Sequence, residues 1–127
     1  MSKKSGNIRF TREEDDQCRQ VIELFSDFLK EKQNFSIARA EGYGYIVLFD
    51  ITEDYFEASR ICSDAETFFE ELLRVWEVDY LFRIGTKYGC PDFETSEEAM
   101  NTEERSYWEG TRSCYRKALE KIRHKEA

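Results

Sequence analysis

Apolar and polar residues alternate along this chain with two different periods, and the switches between them mark out its elements. After Thr11, apolar positions at Cys18, Val21, Ile22, Phe25, Phe28 and Leu29 recur every three or four residues, which predicts one amphipathic helix over roughly 12–32. Thr11-Arg12-Glu13-Glu14 precedes it as a capping box, with Thr accepting from the Glu14 amide and the Glu side chain reaching back. The period then shortens to two. Asn34 to Ala40 sets Phe35 and Ile37 on one face and Ser36 and Ala38 on the other, an edge strand. Tyr45 to Ile51 is an apolar run and reads as a central strand. Tyr55 to Cys62 reads as a third strand, with helix as the competing reading because neither face is purely apolar. Glu41-Gly42-Tyr43-Gly44 and Thr52-Glu53-Asp54 are the turns between strands.

The helical period returns after a second capping box, Ser63-Asp64-Ala65-Glu66. Phe68, Phe69, Leu72, Leu73 and Trp76 form a wide apolar face, and the predicted helix runs from 64 to about 77. Val78 to Ile84 either extends it or forms a short strand. Gly85 to Phe93 holds two glycines and the only proline, and is the expected break and mobile loop. Thr95-Ser96-Glu97-Glu98 then opens a last helix, in which Met100, Trp108, Tyr115, Leu119 and Ile122 keep the helical spacing. Gly110 inside that pattern costs about 1 kcal/mol relative to alanine and allows a kink. The expectation is a single α+β domain over residues 1–127, of order α-β-β-β-α-α: a three-stranded antiparallel meander packed on helices. Residues 1–9 serve as a loose, flexible, basic lead-in. The stretch from Gly44 to Trp76 organises the core.

Composition supports folding. Fifteen per cent aromatic residues argue against disorder although 36% of the chain is charged. Charge changes the picture more, because the net −8 is unevenly placed. Residues 1–40 carry eight basic and seven acidic side chains, 41–109 five and eighteen, and 110–127 six and two. A negative middle disfavours nucleic acid and anionic membranes, and suits either solubility or a partner with a basic face. No run approaches the roughly twenty apolar residues of a membrane helix. MSKKSGNIRF lacks the apolar stretch of a secretory signal. Cysteines at 18, 62, 90 and 114 lack the close spacing of zinc or redox motifs, and read as reduced thiols in a cytoplasmic protein.

Candidate chemistry is sparse. The sole histidine, His124, sits near the chain end beside Arg123 and Lys125, and reads as a surface group rather than a base or ligand. Gly42-x-Gly44 leads into a strand rather than a helix N-terminus, so it is a hairpin turn and not a phosphate cradle. Asp50, Glu53, Asp54 and Glu57 are the best carboxylate cluster, without the spacing or glycine of an EF-hand. Cys90, near Lys87 in the Gly–Pro stretch, is the thiol expected to be most exposed. No catalytic residue, cofactor or metal site is expected. The rings of Tyr43, Tyr45, Tyr55, Tyr80, Tyr88, Tyr107, Tyr115, Trp76 and Trp108 are the more informative surplus, either as partner anchors or as half-buried rim residues. The expected interaction surface comprises Glu53, Asp54, Asp64, Glu66, Glu70, Glu71, Glu77, Asp79 and Tyr88.

Three functions compete on these grounds. The first is a non-enzymatic protein-binding module that presents its acids and rings to a partner with a basic face or to a second copy, with no direct nucleic-acid or membrane binding. For the second, the order of elements resembles, in topology and charge alone, that of some small acidic phage inhibitors of bacterial defence nucleases. That resemblance implies that the helix carboxylates from Asp64 to Asp79 imitate nucleic acid in a partner's phosphate-binding groove. The third is a small-molecule or enzyme pocket between sheet and helices, with tyrosines and Arg39 or Arg60 as polar handles.

Overall fold

The computed structural model describes residues 10–32, 35–52 and 55–124. The expected lead-in and the acids Glu53 and Asp54 lie outside the described residues. The elements are α1 (Arg12–Leu24), α2 (Ser26–Lys30), β1 (Phe35–Ala40), β2 (Gly44–Thr52), β3 (Tyr55–Ala58), α3 (Ala65–Tyr88), α4 (Phe93–Ala99) and α5 (Thr102–His124). The α-β-β-β-α-α order holds, with the first and last helical regions each divided in two.

The strands form an antiparallel meander in the order β1-β2-β3. Phe35 lies opposite Phe49 and Ile37 opposite Val47, so the odd-numbered residues of both strands share the face turned to the helices. The hairpin turn closes where the Tyr43 amide donates to the Ala40 carbonyl at 2.8 Å, with Gly42 at φ +82°. Gly44 has a second task. A Cβ there would lie 2.1 Å from the Cys62 carbonyl oxygen, and its φ of +139° is one that side chains rarely adopt. That close approach lets Tyr45 and Cys62 exchange two backbone hydrogen bonds at 3.0 and 2.8 Å. The third strand therefore ends at Ala58, and Cys62 returns only as a single bridge to the start of β2.

Several boundaries differ from the sequence expectation for identifiable reasons. The first helix breaks at Phe25, whose buried ring stacks on Tyr115 at 4.3 Å and tilts against Phe69 at 5.7 Å. The cap of α3 is Asp64 rather than Ser63, accepting from the Thr67 amide at 2.7 Å. That helix does not stop near residue 77. Leu81 and Ile84 prolong a buried stripe, Val78 to Ile84 is helical, and the end is Gly89 at φ +70°. The break thus shrinks to a few residues after Tyr88. Gly85 stays inside the helix, where a Cβ would press on Ser96 Oγ at 2.7 Å, so glycine admits the close crossing of α4. Thr95 is not a cap but the third helical residue of α4, which Asp92 caps reciprocally. A further break after Ala99 lets Asn101 and Glu104 exchange hydrogen bonds at 2.7 and 2.9 Å and start α5. That helix runs through the exposed Gly110 without interruption.

α3 is the central element. Phe68 stacks on Tyr45 of β2 at 5.2 Å. Trp76 stacks on Tyr80 and on Trp108 of α5, at 5.7 and 5.5 Å. Tyr107 and Tyr115 complete this aromatic wall. Of the rings that the sequence offered as partner anchors, Tyr45, Tyr80, Tyr115, Trp76 and Trp108 are thus spent inside the molecule. Tyr43 at the hairpin tip and Tyr107 are more exposed than these.

Candidate docking groove

The expected acidic surface is not assembled as one display. Asp64 is spent as the cap of α3. Glu70 pairs with Arg116 at 2.8 Å, and Glu77 with Arg112 at 2.8 Å and Arg74 at 3.4 Å. Glu71 pairs with Arg60 at 3.7 Å, and Asp79 with Lys32 at 3.0 Å and Arg83 at 3.2 Å. The basic excess of the last helix therefore lies along the acidic middle of the chain. Tyr88, at the far end of α3, donates to Glu104 at 2.9 Å, beside the Lys87–Glu104 pair at 2.6 Å. Glu66 and the Arg116-paired Glu70 are the α3 acids that line an open polar cleft of about 530 Å³.

That cleft lies among the N-terminal ends of α1 and α3 and the C-terminal end of α5, and its floor is a clasp. Glu14 does not reach back to Thr11 as a capping box would have it. It accepts from the Ala65 amide and from Arg123, each at 2.8 Å, while Arg123 also donates to the buried Gln17 at 2.8 Å. A neighbouring network fixes Asp15. Burial pushes its carboxyl up, but the Tyr45 hydroxyl at 2.6 Å and the guanidiniums of Arg39 and Arg19 outweigh this and hold it below its ordinary value. Arg39, proposed above as a ligand handle, is thereby committed to Asp15 and Glu41. Burial also pushes the Cys18 thiol up to about 12 and the Cys62 thiol to about 11, so both stay protonated at neutral pH. Among the described residues, no three His, Cys, Asp or Glu side chains are grouped to hold a metal, and no helix is long and apolar enough to cross a membrane.

A different surface emerges where α3 outruns the sheet. Twenty-four helical residues extend about 36 Å, against about 30 Å for the nine residues of β2 and about 20 Å for the six of β1. Glu71, Val75, Val78 and Phe82 follow one another at four, three and four residues, a stripe that leaves the core at buried Val75 and reaches the surface at Phe82. Val75, Val78 and Phe82 face Phe35 of β1 and Phe49 of β2 across an apolar groove of about 390 Å³, with Glu71, Arg74 and Asp79 on its margin. Phe82 is 67% exposed. It also walls an adjoining cleft of about 250 Å³ with Leu81, Pro91 and Phe93, so the apolar surface continues past the end of the sheet.

Of these groove residues, only Glu71 and Asp79 belong to the interaction surface expected from the sequence. The second stripe was detectable in principle, once the helix is carried beyond residue 77. That Phe35 and Phe49 join it depends on strand register and on where α3 crosses the sheet. Comparison with protein-family models, curated proteins and solved structures finds no match to this chain.

Proposed function

We propose that this chain is a non-enzymatic protein-binding module whose docking site is the apolar groove between the Phe35–Phe49 end of the sheet and the outer stripe of α3. The observation that carries this reading is Phe82. A large ring two-thirds exposed on a long helix, continuous with Val75, Val78, Phe35 and Phe49, is costly to leave in water and useful against a partner. The groove is lined by elements of regular structure, so little ordering opposes binding. A binding role also accords with the chemistry elsewhere: Cys18 and Cys62 are buried, protonated thiols, and His124 sits exposed at the end of α5. The alternatives built on acidic display, a basic-faced partner or imitation of nucleic acid, draw less support. Glu70, Glu71, Glu77 and Asp79 would have to give up the internal cations they already hold.

The test places a photoreactive amino acid at exposed Arg74 on the groove margin and irradiates the full chain in host lysate. A discrete adduct is expected that disappears when Phe82→Glu is added, with the far-ultraviolet dichroism unchanged. Adducts indifferent to Phe82→Glu would overturn the docking role of the groove.

A further inference from the structure

The charges around the groove are sorted by depth. On this margin Arg60, Arg74 and Arg83 have side chains 70%, 61% and 58% exposed, whereas their partners Glu71, Glu77 and Asp79 are 29%, 12% and 18% exposed. The carboxylates are held inward from a second direction as well: Arg112 of α5 grips Glu77, and Lys32 beyond α2 grips Asp79. A body approaching the groove therefore meets guanidiniums first, although the chain as a whole carries −8. Each of these guanidiniums is only loosely engaged, at 3.2 to 3.7 Å, and retains N–H donors for an incoming acceptor. Arginine is weakly hydrated and matches carboxylates with a planar fork, so such a margin selects acidic groups.

Resting on the docking role proposed above, we propose that the groove receives an acidic, apolar-anchored peptide segment. The segment seats a large apolar side chain among Phe35, Phe49 and Phe82, and carries aspartate or glutamate on either side to meet Arg60, Arg74 and Arg83. The floor favours a peptide over a nucleic acid. It is made of Val75, Val78 and two phenylalanine rings, which suit an apolar side chain and offer no donor or acceptor to read a base. A second copy of this chain is disfavoured because a symmetric pairing would bring two arginine margins together.

The experiment measures fluorescence anisotropy of short labelled peptides against the purified full chain. One peptide carries Phe and Leu anchors flanked by glutamates, a second the same anchors flanked by lysines, and a third the glutamates with serines in place of the anchors. The glutamate-flanked anchor peptide is expected to bind at least about tenfold more tightly than the lysine-flanked one, and to weaken as salt is raised. The anchorless peptide and the Phe82→Glu variant give no binding. Charge reversal at Arg60→Glu, Arg74→Glu and Arg83→Glu inverts the preference, and the milder glutamine substitutions at the same positions abolish it. Equal binding of the two anchor peptides, or a preference that survives these substitutions, overturns the acidic-segment inference while leaving the groove a docking site. So does competition by single-stranded oligothymidylate, or a dimer in sedimentation that Phe82→Glu dissolves, each of which installs a different occupant. Absence of binding by every peptide overturns it as well, and the cross-linking at Arg74 then decides separately whether the groove docks anything.

Discussion

Helix α3 carries two apolar stripes, and the molecule treats them oppositely. Phe68, Phe69, Leu72 and Trp76 are covered on every side by Tyr45, Phe25, Trp108 and Tyr115, contributed by the sheet, the first helical region and α5. Val78 and Phe82 instead line the open groove against Phe35 and Phe49 of the sheet, and Phe82 also walls the adjoining cleft with Pro91 and Phe93. The electrostatics divide in the same way. On the α5 side, Glu70 and Glu77 meet arginines from another helix at 2.8 Å. On the groove side, the outermost cations are Arg74 and Arg83 of α3 itself and Arg60 of the connection before it, while Lys32 holds Asp79 from the inner side. Where other elements cover the helix, apolar area and charge go into stability. Where none reaches, the same residue types remain available to a partner.

The sharpest way to break this contrast is to truncate one phenylalanine from each stripe. Phe69→Ala empties a fully buried site and should cost about 3–5 kcal/mol in urea unfolding. Phe82→Ala, thirteen positions further along, should stay within about 0.5 kcal/mol of the parent. Equal losses would make the groove part of the core and remove the distinction. A second substitution probes how the sheet is tied to the covered side. Gly44→Ala should cost about 1–3 kcal/mol from backbone strain, and more from its contact with the Cys62 carbonyl. Gly42→Ala, also at positive φ but with open space around it, should cost less. A parity between them would show that Cys62 does not anchor β2.

The smallest expected effect is one of pH, and it also separates the two sides. The folded pKa values of Cys18 and Cys62 are raised from 9.0 to about 12 and about 11. A raised acid contributes stability that is complete below the unfolded value. That contribution is lost as pH climbs through 9 towards the folded values, because only the unfolded chain can then shed its protons. The urea midpoint should therefore fall between pH 9 and 11 more steeply for the parent than for a Cys18→Ala, Cys62→Ala double variant. Phe82→Ala should follow the parent's slope. Matching slopes for the parent and the double variant would mean that those thiols ionise freely in the fold.

Much of the fold was legible in the chain because its signals are local. The period of three and four around Val21 and Phe25, the alternation at Phe35 and Ile37 and the glycine turn at Gly42 each act within a few residues. Boundaries slipped where a neighbour in space decided them. α3 continues past residue 77 because Leu81 and Ile84 are buried in the core, and α5 starts afresh because Asn101 and Glu104 satisfy each other. The expected interaction surface was legible only as a list of acids. Glu77 and Glu70 find their arginines 35 and 46 positions away, a separation no pattern of periods encodes. Trp76, Tyr80 and Trp108 were recognisable as amphipathic rings, yet only their mutual stacking assigned them to the interior.

The sequence alone therefore determined the order of the elements and most of the segments that form them, while Tyr55 to Cys62 and Val78 to Ile84 stayed open between helix and strand. Tertiary structure decided which sides of α3 are covered and which cations neutralise which acids. It also decided that Phe35, Phe49 and Phe82 would share a groove. The reason is geometric. Periodicity fixes the direction of a side chain on its own element, while burial depends on whether another element is long enough and placed closely enough to meet it, and the six residues of β1 do not reach the end of the twenty-four-residue α3.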